Sequence, residues 1–122
     1  MKKVLVVDDS ATMRRMVMVS LRDLGGVEFQ EAASGLEAIE RLALGPADLM
    51  LLDLNMPDMH GIEVVQFVQS HAAYRTIPII VLTTRGDPES RNTALAAGAA
   101  LYLTKPFDPR ALAAHARELL KL

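Results

Sequence analysis

Two aspartates, Asp8 and Asp9, stand side by side at the end of the apolar run Val4–Val7. A third, Asp53, closes the run in "ADLMLLDLN" and is followed by Asn55. "IPIIVLTTRG" ends in Thr83 and Thr84, and "ALYLTKPF" in Thr104, Lys105 and Pro106. If these runs are neighbouring strands, three carboxylates, a hydroxyl pair and one ammonium meet at one edge of a sheet. Two unit charges about 4 Å apart interact by roughly 4 kcal/mol at an effective dielectric near ~20. Clustered anions are therefore unfavourable without a cation, and one lysine does not neutralise three. Oxygen-only ligands, with no cysteine and no nearby histidine, suit a hard divalent ion, Mg²⁺ first. Such an ion beside an aspartate, a hydroxyl and a lysine is a phosphoryl-transfer constellation. Metal and ammonium stabilise the equatorial oxygens, and a carboxylate can act as nucleophile and form an acyl phosphate. No Walker sequence and no G-x-G-x-x-G follows the first run, so nucleotide binding has little support.

The elements that must deliver these groups alternate regularly. The pattern predicts strands over Lys3–Val7, Val27–Glu31, Asp48–Leu52, Ile77–Leu82 and Ala100–Leu103. All but the second are near-continuous apolar runs, as in parallel strands covered on both faces. Met13, Met16, Val17, Leu21 and Leu24 recur at helical spacing and are expected to face a core. Ser34 and Glu37 have capping-box spacing, and Asp87–Pro88 and Asp108–Pro109 each set a capping acid before a helical proline. Gly25–Gly26, Gly45–Pro46 and Gly98 are placed to stop helices. Strand–helix alternation predicts an α/β fold, an open parallel sheet with helices on both faces. Ligands of such sheets bind beyond the carboxyl ends of the strands, where the groups named above fall.

The chain of 122 residues is long enough for one core, so a single domain over 1–122 is expected. Its net charge of -2 offers no basic face to nucleic acid or anionic lipid. The absence of cysteine removes disulfides and thiolate metal sites and makes a reducing compartment the default. Met1-Lys2-Lys3 could open a signal peptide, but the apolar run after it is too short for an h-region or a span. A cytoplasmic protein with no membrane contact is expected.

"VLVVDDS", "LLDLNMPDMHG", "VLTT" and "YLTKPF", in this order, resemble the receiver domain of two-component response regulators, over the whole chain. The resemblance implies a flavodoxin-like, doubly wound sheet in strand order 2-1-3-4-5 with five helices. It implies that Asp53 accepts the phosphoryl group from a histidine kinase or histidine phosphotransfer protein. Asp9 is then a direct Mg²⁺ ligand together with Asp53, Asp8 acts mainly through metal-bound water, and Asn55 gives its backbone carbonyl. Thr83 binds the phosphoryl group by its hydroxyl, with the Thr84 N–H nearby, and Lys105 pairs with a phosphoryl oxygen. The Lys105–Pro106 bond is expected to be cis, and Tyr102 matches the aromatic residue that turns inward on activation.

Two positions depart from the common pattern. His60 stands where an acid or amide often precedes Gly61, and Arg85 follows the threonine pair where acidic or small residues are frequent. Arg85 is expected to bear on phosphate lifetime and partner choice. Arg14–Arg15 and the fourth helix read as solvated faces, and His60, His71 and His115 as surface residues. The implied function is a phosphorylation-controlled switch that catalyses only its own phosphorylation and dephosphorylation. It would act as a monomer and reach a target protein through the fourth helix, fifth strand and fifth helix, with no direct nucleic-acid binding. The opening "VVDDSATMRRM" resembles the chemotaxis regulators, which favours a stand-alone regulator over a piece of a hybrid kinase or larger regulator. Two alternatives are a phosphohydrolase of the haloacid dehalogenase type and a passive docking module. The first wants a second acid where Asn55 stands, and the second leaves the acid–hydroxyl–lysine set without a purpose.

Overall fold

The structure, a computed structural model that describes residues 1–122, turns the apolar runs into five strands and the segments between them into five α-helices. In chain order these are β1 (Lys2–Val7), α1 (Ala11–Leu21), β2 (Val27–Ala32), α2 (Gly35–Leu44) and β3 (Leu49–Leu52). α3 (Gly61–Ser70), β4 (Ile79–Thr83), α4 (Pro88–Ala97), β5 (Leu101–Thr104) and α5 (Pro109–Leu120) follow. A 3₁₀ turn, Arg22–Leu24, extends α1. The sheet order is β2-β1-β3-β4-β5 and every pair is parallel, as the resemblance implied.

Although Val4–Val7 of β1, Leu49–Leu52 of β3 and 79–82 of β4 are apolar throughout, their side chains alternate between two cores. Leu5, Val7, Met50, Leu52, Ile79 and Val81 point to the face covered by α2, α3 and α4, where Leu42, Val64, Val65, Val68 and Ala94 meet them. Val4, Val6, Leu49, Leu51, Ile80 and Leu82 point to the other face, against Val17 and Leu21 of α1 and Leu112, Ala116 and Leu120 of α5. Burying a leucine or valine side chain contributes about 1.5–3 kcal/mol, so two dry faces, rather than one, hold the strand ends rigid.

Strand limits differ from the expected ones by one or two residues, for local reasons. Pro78 accepts from the Met50 N–H at 3.0 Å but has no N–H to return, so β4 begins at Ile79. Asp48 is occupied with Lys3 at both its N–H and its carboxylate, at 2.7 and 2.8 Å, and lies just outside β3. Thr83 and Thr104 pair across β4 and β5, which extends both strands to the threonines. Met16 is a correction. It is 49% exposed, because α1 meets the sheet along Val17 and Leu21 while Met13 and Leu24 are only half-buried.

Ser34, Asp87 and Asp108 cap helices where the sequence puts them, and Ser10 caps α1 as well. Ser10 accepts from Met13 N–H, Ser34 from Glu37 N–H, Asp87 from Ser90 N–H and Asp108 from Arg110 N–H. Glu37 reaches back to the Ala33 N–H at 2.9 Å, one residue earlier than a capping box requires. Gly25 and Gly26 take positive φ, 71° and 63°, and turn the chain from the 3₁₀ segment into β2. No helix is long and apolar enough to cross a membrane.

Candidate functional site

Three backbone bonds carry the ladder one residue past the strand ends and fix the residues found there. Asp8 N–H donates to Ala32 carbonyl at 3.1 Å, Asp53 N–H to Val7 carbonyl at 3.0 Å, and Lys105 N–H to Thr83 carbonyl at 2.8 Å. Asp8, Asp53 and Lys105 therefore leave a rigid sheet on the same edge. Carboxylate oxygens of Asp8, Asp9 and Asp53 lie within 4.8 Å of one another. Asp8 and Asp53 are buried, while Asp9 is exposed.

Lys105 reaches into this group, as the strand-end reading requires. Its Nζ is 2.7 Å from an Asp8 oxygen and 3.4 Å from Asp53, with the side chain 10% exposed. The second Asp8 oxygen accepts from Ser10 N–H at 2.9 Å, and Asp53 accepts from Asn55 N–H at 3.3 Å. Asp9 makes no ion pair. One ammonium thus serves two buried carboxylates, and a third anion stands beside them without a cation. The donors are all oxygens, so the site has the chemistry of a hard divalent cation rather than of zinc or copper.

Thr83 is fully buried at the end of β4, and its hydroxyl oxygen accepts from Arg85 N–H at 3.4 Å. Thr84 is exposed at the start of the following loop. The Lys105–Pro106 bond is cis. Tyr102 lies inside, 8% exposed, and its hydroxyl donates to the Arg85 carbonyl. The ring that the resemblance has turning inward on activation is inward here. The Arg85 side chain is half-exposed and its Nε is 3.7 Å from Asp87. It lines a cleft with Leu54, His60, Glu89, Ser90 and Thr93 between the starts of α3 and α4.

Two residues do more than their sequence context shows. Arg14, expected on a solvated face, has a side chain only 15% exposed. It donates to the Asp8 carbonyl at 2.7 Å and to Glu31 at 2.9 Å, binding α1 to β1 and β2 behind the acid pair. His60 is exposed, yet its Nδ1 accepts from Ile62 N–H at 3.2 Å and caps α3. "RR" at a helix start gives no hint of the first, since the acceptor is a carbonyl on another element. For His60, the position before "GIEVVQF" marks a helix entry and could have been read as a cap. His71 is exposed and packs against Phe67 at a ring separation of 4.1 Å, and His115 is half-buried.

The comparisons agree with this geometry. Residues 4–117 match the family model of the response regulator receiver domain. The chain is 44% identical over 111 residues to the chemotaxis protein CheY1 of Helicobacter pylori, covering 90% of each. It is 42% identical to a chemotaxis protein CheY homolog of Campylobacter jejuni, over 90% of this chain and 85% of that one. Among solved structures, the chemotaxis response regulator CheY4 of Vibrio cholerae superimposes with a TM-score of 0.88 at 39% identity, covering 98% of both chains. A DrrB receiver domain described as BeF3-activated superimposes with a TM-score of 0.88 at 29% identity, over 100% of this chain and 99% of that one. The haloacid dehalogenase alternative falls with this match. The chain belongs to the response regulator receiver domain family, phosphorylation-controlled signalling switches, and within it resembles the chemotaxis regulators.

Proposed function

We propose that this chain takes a phosphoryl group from a phosphohistidine onto Asp53 and signals the change to a protein partner. The observation that carries this reading is the ammonium of Lys105 set between Asp8 and Asp53, beside an unpaired Asp9. An Asp53 oxygen attacks phosphorus, the O–P bond forms as the P–N bond to the donor imidazole breaks, and the imidazole leaves with the electron pair. Lys105 exchanges a carboxylate for a phosphoryl oxygen, the Thr83 hydroxyl donates to another, and the Thr84 N–H is at hand beside it. Asp9, Asp53 and the Asn55 carbonyl would hold Mg²⁺, with Asp8 in the outer shell. The ion supplies positive charge to phosphoryl oxygens that gain negative charge in the transfer.

The phosphoryl donor is a histidine kinase or a histidine phosphotransfer protein, and the domain acts on no substrate but itself. Its target reads the face formed by α4, β5 and α5. Ala94 is the one fully buried residue of α4, so few side chains resist a shift of that helix. The proposed molecule is a cytoplasmic monomer, and its net charge of -2 offers no basic face to nucleic acid or an anionic membrane.

Incubation with acetyl phosphate and Mg²⁺, followed by intact mass, tests the assignment. Wild type gains one phosphoryl group and Asp53→Asn gains none. An equal gain in both proteins removes Asp53 from the role.

A further inference from the structure

The loop from Asp53 to His60 carries Asn55, and its two ends are fixed. Asp53 N–H is bound to Val7, and Gly61 N–H donates to Leu54 carbonyl at 2.9 Å. Gly61 has no room for a side chain, since a Cβ there would sit 2.6 Å from Leu54 Cα. Between those ends, no backbone N–H from Met56 to His60 finds a backbone acceptor. The tip is held instead by a side chain. Asp58 accepts from Gly35 N–H at 3.2 Å with one oxygen and from Leu36 N–H at 3.1 Å with the other. These are orphan donors of the first turn of α2, where the helix dipole also favours an anion. The Leu36 N–H, outweighing the opposing effect of burial, and the Gly35 N–H hold the Asp58 carboxyl below its ordinary range. Met59 closes the same joint, because a Cβ on Gly35 would lie 2.8 Å from Met59 Cβ.

We infer that Asp58 is a positioning residue for the cation site: by tying the loop to α2 it holds the Asn55 carbonyl where Mg²⁺ needs it. The inference rests on the proposed role of Asn55 as a carbonyl ligand. Asp58 would touch neither cation nor phosphoryl group, and acts only by limiting where a loop tip whose own N–H groups find no backbone acceptor can go. Partners that orient a ligand from outside typically change metal affinity when lost, and roughly a tenfold weakening of Mg²⁺ binding is expected for Asp58→Ala. Once Mg²⁺ saturates the site, the ion itself orders Asn55. The phosphorylation rate at saturating Mg²⁺ is then expected to stay near that of wild type.

The test uses the whole chain and two variants that strain the same joint differently. Asp58→Ala removes the carboxylate, whereas Gly35→Ala keeps every charge and pushes Met59 away from α2. Mg²⁺ affinity is measured by calorimetry, the melting temperature by circular dichroism, and amide resonances by NMR during a Mg²⁺ titration. Both variants should bind Mg²⁺ more weakly, and in wild type the Gly35 and Leu36 amides should move with Asn55, since coupling is reciprocal. Wild-type Mg²⁺ affinity in both variants, with only the melting temperature lowered, makes the tie merely structural and overturns the inference. Weakening in Asp58→Ala alone assigns the effect to charge and also overturns it. If wild type and Asp9→Ala bind Mg²⁺ alike, the underlying reading of the acid cluster fails instead.

Discussion

The Tyr102 hydroxyl donates to the backbone carbonyl of Arg85, and the Arg85 N–H donates to the Thr83 hydroxyl. One peptide segment is therefore shared between the buried threonine of β4 and the aromatic ring of β5. In the proposed switch, movement of the Thr83 hydroxyl toward a phosphoryl oxygen would give up its bond to Arg85 and free the segment that Tyr102 grips. NMR spectra with beryllofluoride, a stable mimic of the aspartyl phosphate, should show shifts at Thr83, Arg85, Tyr102 and along Arg91–Ala97. Shifts confined to the surroundings of Asp53 would deny the route through Arg85.

Tyr102→Phe leaves the Arg85 carbonyl without its donor and should cost about 1 kcal/mol in denaturant unfolding. Burial, and after it the charge of Asp87, push the Tyr102 phenol above its ordinary value of 10.0, against the lowering effect of Arg85. A raised value means that the folded state holds this proton more tightly than the unfolded one. The contribution is fully present below about pH 10 and is lost as pH rises through the folded value. Ultraviolet titration of wild type against Tyr102→Phe should isolate a step displaced to the alkaline side of 10.

In the proposed site Mg²⁺ and Lys105 share the Asp53 carboxylate, and Asp9 is the one with no ammonium near it. The melting temperature should rise with Mg²⁺, corresponding to about 2.7 kcal/mol at a hundred times the dissociation constant. Asp9→Ala should remove that dependence and raise the melting temperature without Mg²⁺, since a repelling charge is gone. Equal Mg²⁺ shifts in both proteins would place the ion elsewhere.

Asp87 caps α4 by accepting from both the N–H and the hydroxyl of Ser90, at 2.9 and 3.0 Å. Those bonds, the backbone one first, hold its carboxyl below 3.8 against the raising effect of burial, and the Arg85 charge adds a smaller lowering. A lowered value contributes stability that is present above about pH 4 and lost as pH falls through the folded value. Asn caps nearly as well as Asp, so Asp87→Asn should change stability little at pH 7 and flatten its decline in acid. Unfolding midpoints measured from pH 7 down to about 2 check both parts.

The fold was legible because β1, β3 and β4 are apolar on both faces and each is followed by a capped helical pattern. The site was legible because its residues stand directly after those runs, where a strand end leaves no choice of edge. Other features depend on contacts that no local pattern encodes. Arg14 finds a carbonyl on β1, and Asp58 finds the start of α2 from 22 residues away. Met16 belongs to the same helical stripe as Val17 and Leu21, yet it is exposed where they are buried. Periodicity locates a face, and the neighbouring elements decide how much of it is covered.

Lys105 and Asp8 meet across 97 residues of chain. During synthesis β1, β3 and β4 emerge from the ribosome before the segment that carries the ammonium. A nascent chain that ends before β5 can lay Asp8 beside Asp53 only against their mutual repulsion. The one ammonium of the site is thus among the last of its groups to be made.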